Sequence, residues 1–297
     1  IIVLYCYRGS LDRKRGENVE TTLSTKQQDY MKAISRLRII DDDFMIIVFD
    51  NQECLELLLT LILGEHTTVS NYYRQYVLKN LHGRDVEIDI LIKTNYNQYI
   101  NIEVQRRNEG AHTKRARYHH SLIDADITLA QDKWRDIPEV IIIFITENDV
   151  LKGGLPIYHI NRTIEETGEY FDDDSKIIYV NASYQDNTPL GRLMHDMMCE
   201  NYQDMYYDIL RNRVRYFKEQ EGGIRKMCEI FDEIRQKGKF EGMAEGKLKG
   251  IMEGEQKGKL ELINQLMNRQ NLSFDDAMDM LGISIEEQNE YRKLIVS

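Results

Sequence analysis

The feature that most constrains the fold is a period-two pattern in residues 86–105, VEIDILIKTNYNQYINIEVQ. Six apolar residues alternate with other side chains along its two halves: Ile88, Ile90, Ile92, Ile100, Ile102 and Val104. Alternation of this kind is typical of strands with one buried face. The asparagine-containing segment 94–98 between the halves is typical of a turn. The pattern therefore predicts a β-hairpin.

The register of this hairpin follows from matching its apolar faces. The pairing sets Ile88 against Val104, Ile90 against Ile102 and Ile92 against Ile100. The same register places Asp89 opposite Glu103. A slip of one residue would turn the isoleucines outward, yet like charges directly opposed in a sheet are destabilising. The sequence thus predicts two carboxylates in contact, in a well-specified register.

This carboxylate pair allows three interpretations. Both side chains could lie on a solvated face, or one could be protonated for general acid–base work, as in glycosidases. In the third, a hard divalent cation such as Mg²⁺ lies between them and supports phosphodiester hydrolysis. A single tryptophan, Trp134, gives little sign of the aromatic-lined cleft that a sugar substrate would need.

Basic residues cluster directly after Glu103, in the segment 105–120. They are Arg106, Arg107, Lys114, Arg115 and Arg117, with only Glu109 opposing them. The whole chain has a formal net charge of −11, which argues against general nucleic-acid binding. A local basic patch beside paired acids suits a metal-dependent enzyme acting on DNA, because arginine and lysine hold the phosphates. We therefore favour a nuclease.

The other segments predict an α/β core with a mixed sheet and helices on both sides, followed by an all-helical C-terminal part. Helices are predicted at 24–38, 51–64 and 113–131, the second with an asparagine N-cap and a glycine C-cap. Strands are predicted in VSNYYRQYVLKNL, EVIIIFIT, PIYHINRTI and SKIIYVNAS. The continuous β-branched run 139–146 is typical of a central strand covered on both faces.

Composition divides the chain into five parts. Residues 1–25 are predicted to be a disordered leader, and residues 26–188 the α/β core. A helical extension (189–236), a glycine-repeat helical segment (237–262) and a small C-terminal helical module (263–297) follow. The four cysteines are scattered and lack metal-ligand spacing, and no apolar run approaches the ~20 residues of a bilayer span. We expect a cytoplasmic protein without membrane association.

Glycine recurs at every fourth position from Gly238 to Gly258, and each one costs a helix about 1 kcal/mol relative to alanine. This segment is either an exposed, frayed helix or a helix packed closely against another in a homo-oligomer. The module after it has capping-box starts at Ser273 and Ser284. Its second helix, IEEQNEY, is too acidic for the major groove of DNA, so we interpret the module as a packing or assembly unit.

Several segments resemble the PD-(D/E)XK nuclease superfamily, specifically its Rpn-type recombination-promoting nucleases, which are also described as transposases. They are IIDDDFMIIVF, RDVEIDILI, YINIEVQRR, KRARYHHSLIDA, FITENDVLKGGLPIYHINRTIEETGE and LMHDMMCENYQDMYY. The resemblance implies a restriction-endonuclease-like αβα core and a role in recombination or transposition. It also implies endonuclease activity on double-stranded DNA that depends on Mg²⁺, with Mn²⁺ as a substitute.

The resemblance implies roles for individual residues as well. Asp89 matches the first motif acid, and Glu103 with Gln105 matches the (D/E)XK element. Asp89 and Glu103 would bind the metal, with the carbonyl of Val104 completing the site. Gln105 stands where the superfamily usually has lysine, and an amide can orient water but cannot supply positive charge. Three basic residues are candidate substitutes for that charge: Lys93, Lys114 and Arg106.

Further residues are assigned with these. Asp43 matches an acid that the family places before its first helix and is a candidate catalytic residue, unless 41–43 is only a helix-capping turn. The candidate DNA contacts are Arg106, Arg107, Lys114, Arg115, Arg117 and Tyr118. His119 and His120 are interpreted as helix-surface residues. The competing hypothesis is a catalytically degenerate, DNA-binding or oligomeric accessory protein of a mobile element.

Overall fold

The computed structural model describes residues 25–80, 82–285, 287, 288, 291 and 292. The predicted leader lies outside these residues, apart from Thr25. In the described part of the chain, six strands form one sheet: β1 (Val69–Leu78), β2 (Val86–Thr94), β3 (Tyr99–Gln105), β4 (Val140–Thr146), β5 (Ile157–Ile160) and β6 (Ser175–Asn181). Their order across the sheet is β1-β2-β3-β4-β6-β5.

Strand β4 lies between β3 and β6 and is parallel to both, whereas the other neighbouring pairs are antiparallel. Every residue of β4 is buried. A strand covered on both faces buries its side chains in both directions, which explains why VIIIFIT is a continuous apolar run and not an alternation. The predicted central strand and the mixed α/β sheet are confirmed.

Eight helices accompany the sheet within the described residues. They are α1 (Thr25–Arg36), α2 (Asp42–Val48), α3 (Gln52–Leu63), α4 (Thr113–Ile127), α5 (Pro189–Met198), α6 (Asp208–Glu219), α7 (Glu221–Gln270) and α8 (Phe274–Met280). Helix α3 has the predicted caps, since the Asn51 side chain accepts a bond from the Cys54 N–H and Gly64 has a φ of 75°. A positive φ suits glycine because it has no Cβ.

Helix α4 connects the parallel strands β3 and β4 and covers one face of the sheet. Its Ala116 and Ile123 are buried in one cluster with Ile88, Phe144 and Tyr179. The helix ends at Ile127, before the predicted end at residue 131. Beyond it, the Leu129 N–H donates to the Asp132 carboxylate at 2.8 Å. That side chain offers the backbone a partner outside the helix, which ends the helix early.

The chain divides into two compact units, one ending at Cys228 and the other beginning at Glu229. Helix α7 runs without interruption from Glu221 to Gln270 and so passes through this division and through the glycine repeat. A Cβ added at any glycine from Gly238 to Gly258 would meet nothing within 4 Å. Within the second unit, the repeat therefore faces open space.

The second unit has a small core of its own. It consists of Ile263, Ala277, Met278, Ile283 and Tyr291. The predicted cap of α8 is present, because the Ser273 hydroxyl accepts a hydrogen bond from the Asp276 N–H at 3.1 Å. Across the residues described, no helix combines the length and the apolar character that a membrane crossing requires.

Candidate active site

The β2–β3 hairpin has the predicted register. Its backbone pairs are Ile90–Ile102, Leu91–Asn101, Ile92–Ile100 and Lys93–Tyr99. Two of the three apolar pairs expected from the sequence are among these four. The turn between the strands falls where it was expected, since β2 ends at Thr94 and β3 begins at Tyr99.

Next to these pairs, the side chains of Asp89 and Glu103 accept hydrogen bonds from backbone N–H groups of the hairpin. The Asp89 N–H donates to Glu103 Oε1 at 3.3 Å, and the Val104 N–H donates to Asp89 Oδ2 at 3.0 Å. Each acid thus binds the backbone of the strand that carries the other acid. The predicted encounter of Asp89 with Glu103 is therefore built into the hairpin.

Burial makes it costly for both neighbouring carboxylates to carry a negative charge. The Glu103 side chain is 0% exposed, and Asp89 is half-buried. Burial raises the pKa of both carboxyl groups, because it removes water from the charged form. The negative charge of Asp89 raises the pKa of Glu103 further, and that of Asp42 raises the pKa of Asp89. The two acids therefore titrate as a pair and keep their protons to a higher pH than ordinary carboxyl groups do.

Arg115 is a cation in direct contact with Glu103. Its Nη2 lies 2.9 Å from Glu103 Oε2, and the positive charge opposes the rise in the pKa of Glu103. Its Nε donates to His119 Nε2 at 3.1 Å, and its Nη1 donates to the carbonyl of Gly110 at 3.0 Å. The guanidinium is thus fixed from three sides.

His119 and His120 are buried, with 1% and 8% exposure, so their assignment to the helix surface was wrong. Burial, assisted by the charge of Arg115, lowers the pKa of His119 to about 4, and the ring is neutral at pH 7. Because an arginine N–H can only donate, His119 Nε2 accepts from it, and Nδ1 lies 3.2 Å from the side-chain nitrogen of Asn101. Nδ1 lies 3.5 Å from Glu103 Oε1. His120 pairs instead with Asp124 on its own helix, at 2.9 Å.

The three acids at the start of α2 differ in their contacts. Asp41 precedes the first helical residue, as a capping turn would require, but its side chain makes no capping hydrogen bond. Asp42 is the one whose charge acts on Asp89, and burial together with the charge of Asp43 raises its own pKa. Asp43, the residue assigned from the sequence, is exposed, and so is Asp42. Of the two, Asp42 is the acid whose charge raises the pKa of Asp89.

Asp41 belongs to a closed ring of charges beside the site. Arg38 contacts Asp41 at 3.2 Å and Glu147 at 3.0 Å, and Arg106 contacts the same two acids, each at 3.1 Å. The ring connects the start of α2 to the residues that follow β3 and β4. Sequence reasoning missed Arg38 and Glu147, which lie far apart in the chain and carry no local pattern.

Gln105, at the position of the usual lysine, is half-buried at the end of β3. Its side chain lies against Gly110, since a Cβ added there would come within 2.9 Å of Gln105 Cδ. Of the three candidate substitutes for lysine, Lys93 lies over the Tyr99 ring at 5.2 Å, and Arg106 belongs to the charged ring. Lys114 is exposed.

The predicted DNA contacts fall into two groups. Arg107, Lys114 and Arg117 are exposed, whereas Arg106 and Arg115 are engaged by acids of the protein itself. Tyr118 donates to the carbonyl of Arg84 at 2.6 Å and accepts from Asn80 at 2.8 Å. Its hydroxyl therefore ties α4 to the β1–β2 connection.

A comparison with protein families agrees with this geometry. The family model described as PD-(D/E)XK nuclease family transposase matches residues 50–250. The chain belongs to this family. No curated protein and no solved structure gave a match. The matched residues include Asp89, Glu103 and Gln105, and they begin after Asp42 and Asp43.

A PD-(D/E)XK nuclease family member generally uses a divalent metal, and the donor chemistry of this site fits one. Asp89 and Glu103 offer carboxylate oxygens, and a hard cation would stabilise the charged forms that burial disfavours. Among the residues described, no group of three or more His, Cys, Asp or Glu side chains is arranged to hold an ion. Mg²⁺ suits such a sparse site because it retains several waters and needs only one or two carboxylates.

Proposed function

We propose that this PD-(D/E)XK family protein is a Mg²⁺-dependent endonuclease that hydrolyses phosphodiester bonds of double-stranded DNA during recombination or transposition. The observation that carries the proposal is the buried contact between Asp89 and Glu103, in which each acid binds the opposite strand. A protein gains little by burying two like charges unless another charge is to join them.

The reaction would divide its tasks among the residues of the hairpin. Asp89 and Glu103 would hold the cation, which when bound supplies positive charge to the phosphate and to the water. Gln105 would orient the attacking water with its amide. The water oxygen would form a bond to phosphorus and release a proton to solvent, while the bond to the leaving sugar oxygen breaks and that oxygen takes a proton from solvent. The exposed Arg107, Lys114 and Arg117 would bind flanking phosphates.

Nicking of a supercoiled plasmid in Mg²⁺ tests this function. Asp89→Asn should abolish nicking, because it removes one metal-binding charge. Glu87→Gln is the matched control, since Glu87 is an exposed acid on the same strand and the charge change is identical. Equal nicking by the wild type and Asp89→Asn would refute the role of Asp89.

A second candidate function is that of a non-catalytic DNA-binding accessory protein. It is favoured by the contacts of Glu103, whose two oxygens already have protein partners in Arg115 and the Asp89 N–H. Calorimetric titration with Mn²⁺ separates the two functions. Heat that disappears in Asp89→Asn supports the nuclease, while the absence of any Asp89-dependent heat supports the accessory protein.

A further inference from the structure

The charge that Gln105 cannot supply is present elsewhere in the site. We propose that Arg115 is the positioning residue of the acid pair: it orients Glu103 and provides the positive charge that a lysine at residue 105 would provide. The inference rests on the proposed nuclease function. It removes Arg115 from the predicted DNA contacts.

The first argument is the number of partners that hold the guanidinium. Its three nitrogens meet Glu103 Oε2 at 2.9 Å, His119 Nε2 at 3.1 Å and the Gly110 carbonyl at 3.0 Å. The guanidinium carbon also lies 5.9 Å from the centre of the Phe144 ring. Three of the five N–H groups of this half-buried side chain are thus bound within the protein, whereas a residue that binds DNA phosphates must leave its donors free.

The second argument is the position of Arg115 relative to Gln105. Both side chains adjoin Gly110: Arg115 Nη1 binds its carbonyl, and the Gln105 amide lies against its Cα. A lysine at 105 would therefore bring its ammonium group into the neighbourhood of the guanidinium. Both positions therefore place a side chain beside Gly110.

The third argument is the spacing of Arg115 and His119 on α4. Residues four apart lie on one helix face, and here that face meets β3. His119 Nε2 accepts from Arg115, and its Nδ1 lies 3.2 Å from the Asn101 side-chain nitrogen and 3.5 Å from Glu103 Oε1. Arg115 thus binds Glu103 directly, while His119 accepts from the guanidinium and orients it toward the carboxylate.

DNA binding without metal distinguishes this role from that of a DNA contact. In EDTA, Arg115→Gln should leave the dependence of DNA affinity on salt unchanged. Arg117→Gln, on the same helix and exposed, is the matched control and should reduce the slope of log K against log salt by about 0.9. A reduced slope for Arg115→Gln would overturn the inference.

Nuclease kinetics test the charge itself. Arg115→Gln keeps a hydrogen-bond donor but removes the charge, so kcat should fall about 10²-fold with KM unchanged. Arg115→Lys should stay within about tenfold of the wild type. Adding Gln105→Lys to Arg115→Gln should raise kcat at least about tenfold above that of Arg115→Gln alone. A role confined to stability predicts no such rescue, and failure of the rescue in folded protein overturns the inference.

Thermal unfolding of every variant accompanies these measurements. If Arg115→Gln does not fold, Arg115→Lys decides: kcat within tenfold of the wild type supports the inference, and a 10²-fold loss in folded protein refutes it. Failure of the proposed function looks different, because the wild type itself then leaves the plasmid intact. The salt dependence in EDTA still shows in that case whether Arg115 contacts DNA.

Discussion

Gly110→Ala is a probe of Gln105 that leaves Gln105 itself in place. An added Cβ at 110 would overlap Gln105 Oε1, so the amide must move by about 1.5 Å to reach ordinary van der Waals contact. Gln105 is a flexible side chain and can give way. The φ of Gly110 is not positive, so alanine fits the backbone of this 3₁₀ turn, Asn108–Ala111.

The expected result separates stability from activity. Replacing glycine by alanine in a compatible conformation changes the free energy of unfolding by no more than about 1 kcal/mol. A displacement of about 1 Å in a group that orients the reacting water can cost about 10²-fold in rate. Urea unfolding measures the first quantity, and single-turnover cleavage of a plasmid measures the second.

A double-mutant cycle provides the control. If the alanine acts only by displacing the Gln105 amide, Gln105→Ala and Gln105→Ala combined with Gly110→Ala should cleave at the same rate. Cleavage by Gly110→Ala at the wild-type rate would refute the reasoning that Gln105 orients water. An additional loss in the Gln105→Ala background would show that Gly110 acts through some other contact, such as the carbonyl that binds Arg115.

Three further predictions follow from burial and charge. The pKa of Glu103 is raised from 4.5, so above pH 4.5 the folded protein retains a proton that the unfolded chain releases. The free energy of unfolding without metal should therefore fall as pH rises from 4.5 through the raised pKa. Glu103→Gln should flatten that dependence in urea melts across this range, and an unchanged slope would contradict it. Asp42→Asn should change plasmid cleavage more than Asp43→Asn, since of these two acids it is Asp42 that raises the pKa of Asp89; equal effects would return the role to Asp43. Phe144→Ala should lower the free energy of unfolding by about 3–5 kcal/mol, because Phe144 is fully buried and stacks on Tyr179; a loss under 1 kcal/mol in urea would contradict the packing.

The hairpin was predictable because its determinants are local. Period-two alternation and a short turn fix a register over residues 86–105, and the register brings Asp89 to Glu103. The central strand was equally clear, since a continuous apolar run is typical of burial on both faces. Contacts within one hairpin join residues that are close in the sequence, so they can be predicted from the local pattern of apolar residues.

The surroundings of the acids were not predictable in the same way. Glu147 reaches Arg38 across more than a hundred residues of chain, and nothing in either segment marks the other as a partner. His119 was misassigned because histidine is polar and its neighbours include several charges. The spacing of Arg115 and His119, four apart on a helix, was the available signal, and it gains meaning only beside a buried carboxylate.

The route of the chain between β3 and β4 has a consequence for folding. The hairpin closes over a short stretch, so the two acids can meet early. The parallel pairing of β3 with β4 must wait for the longer crossover through α4. That crossover also delivers Arg115. The partner of Glu103 therefore arrives with the step that adds β4 to the sheet, and until then the nascent hairpin keeps its two negative charges in water.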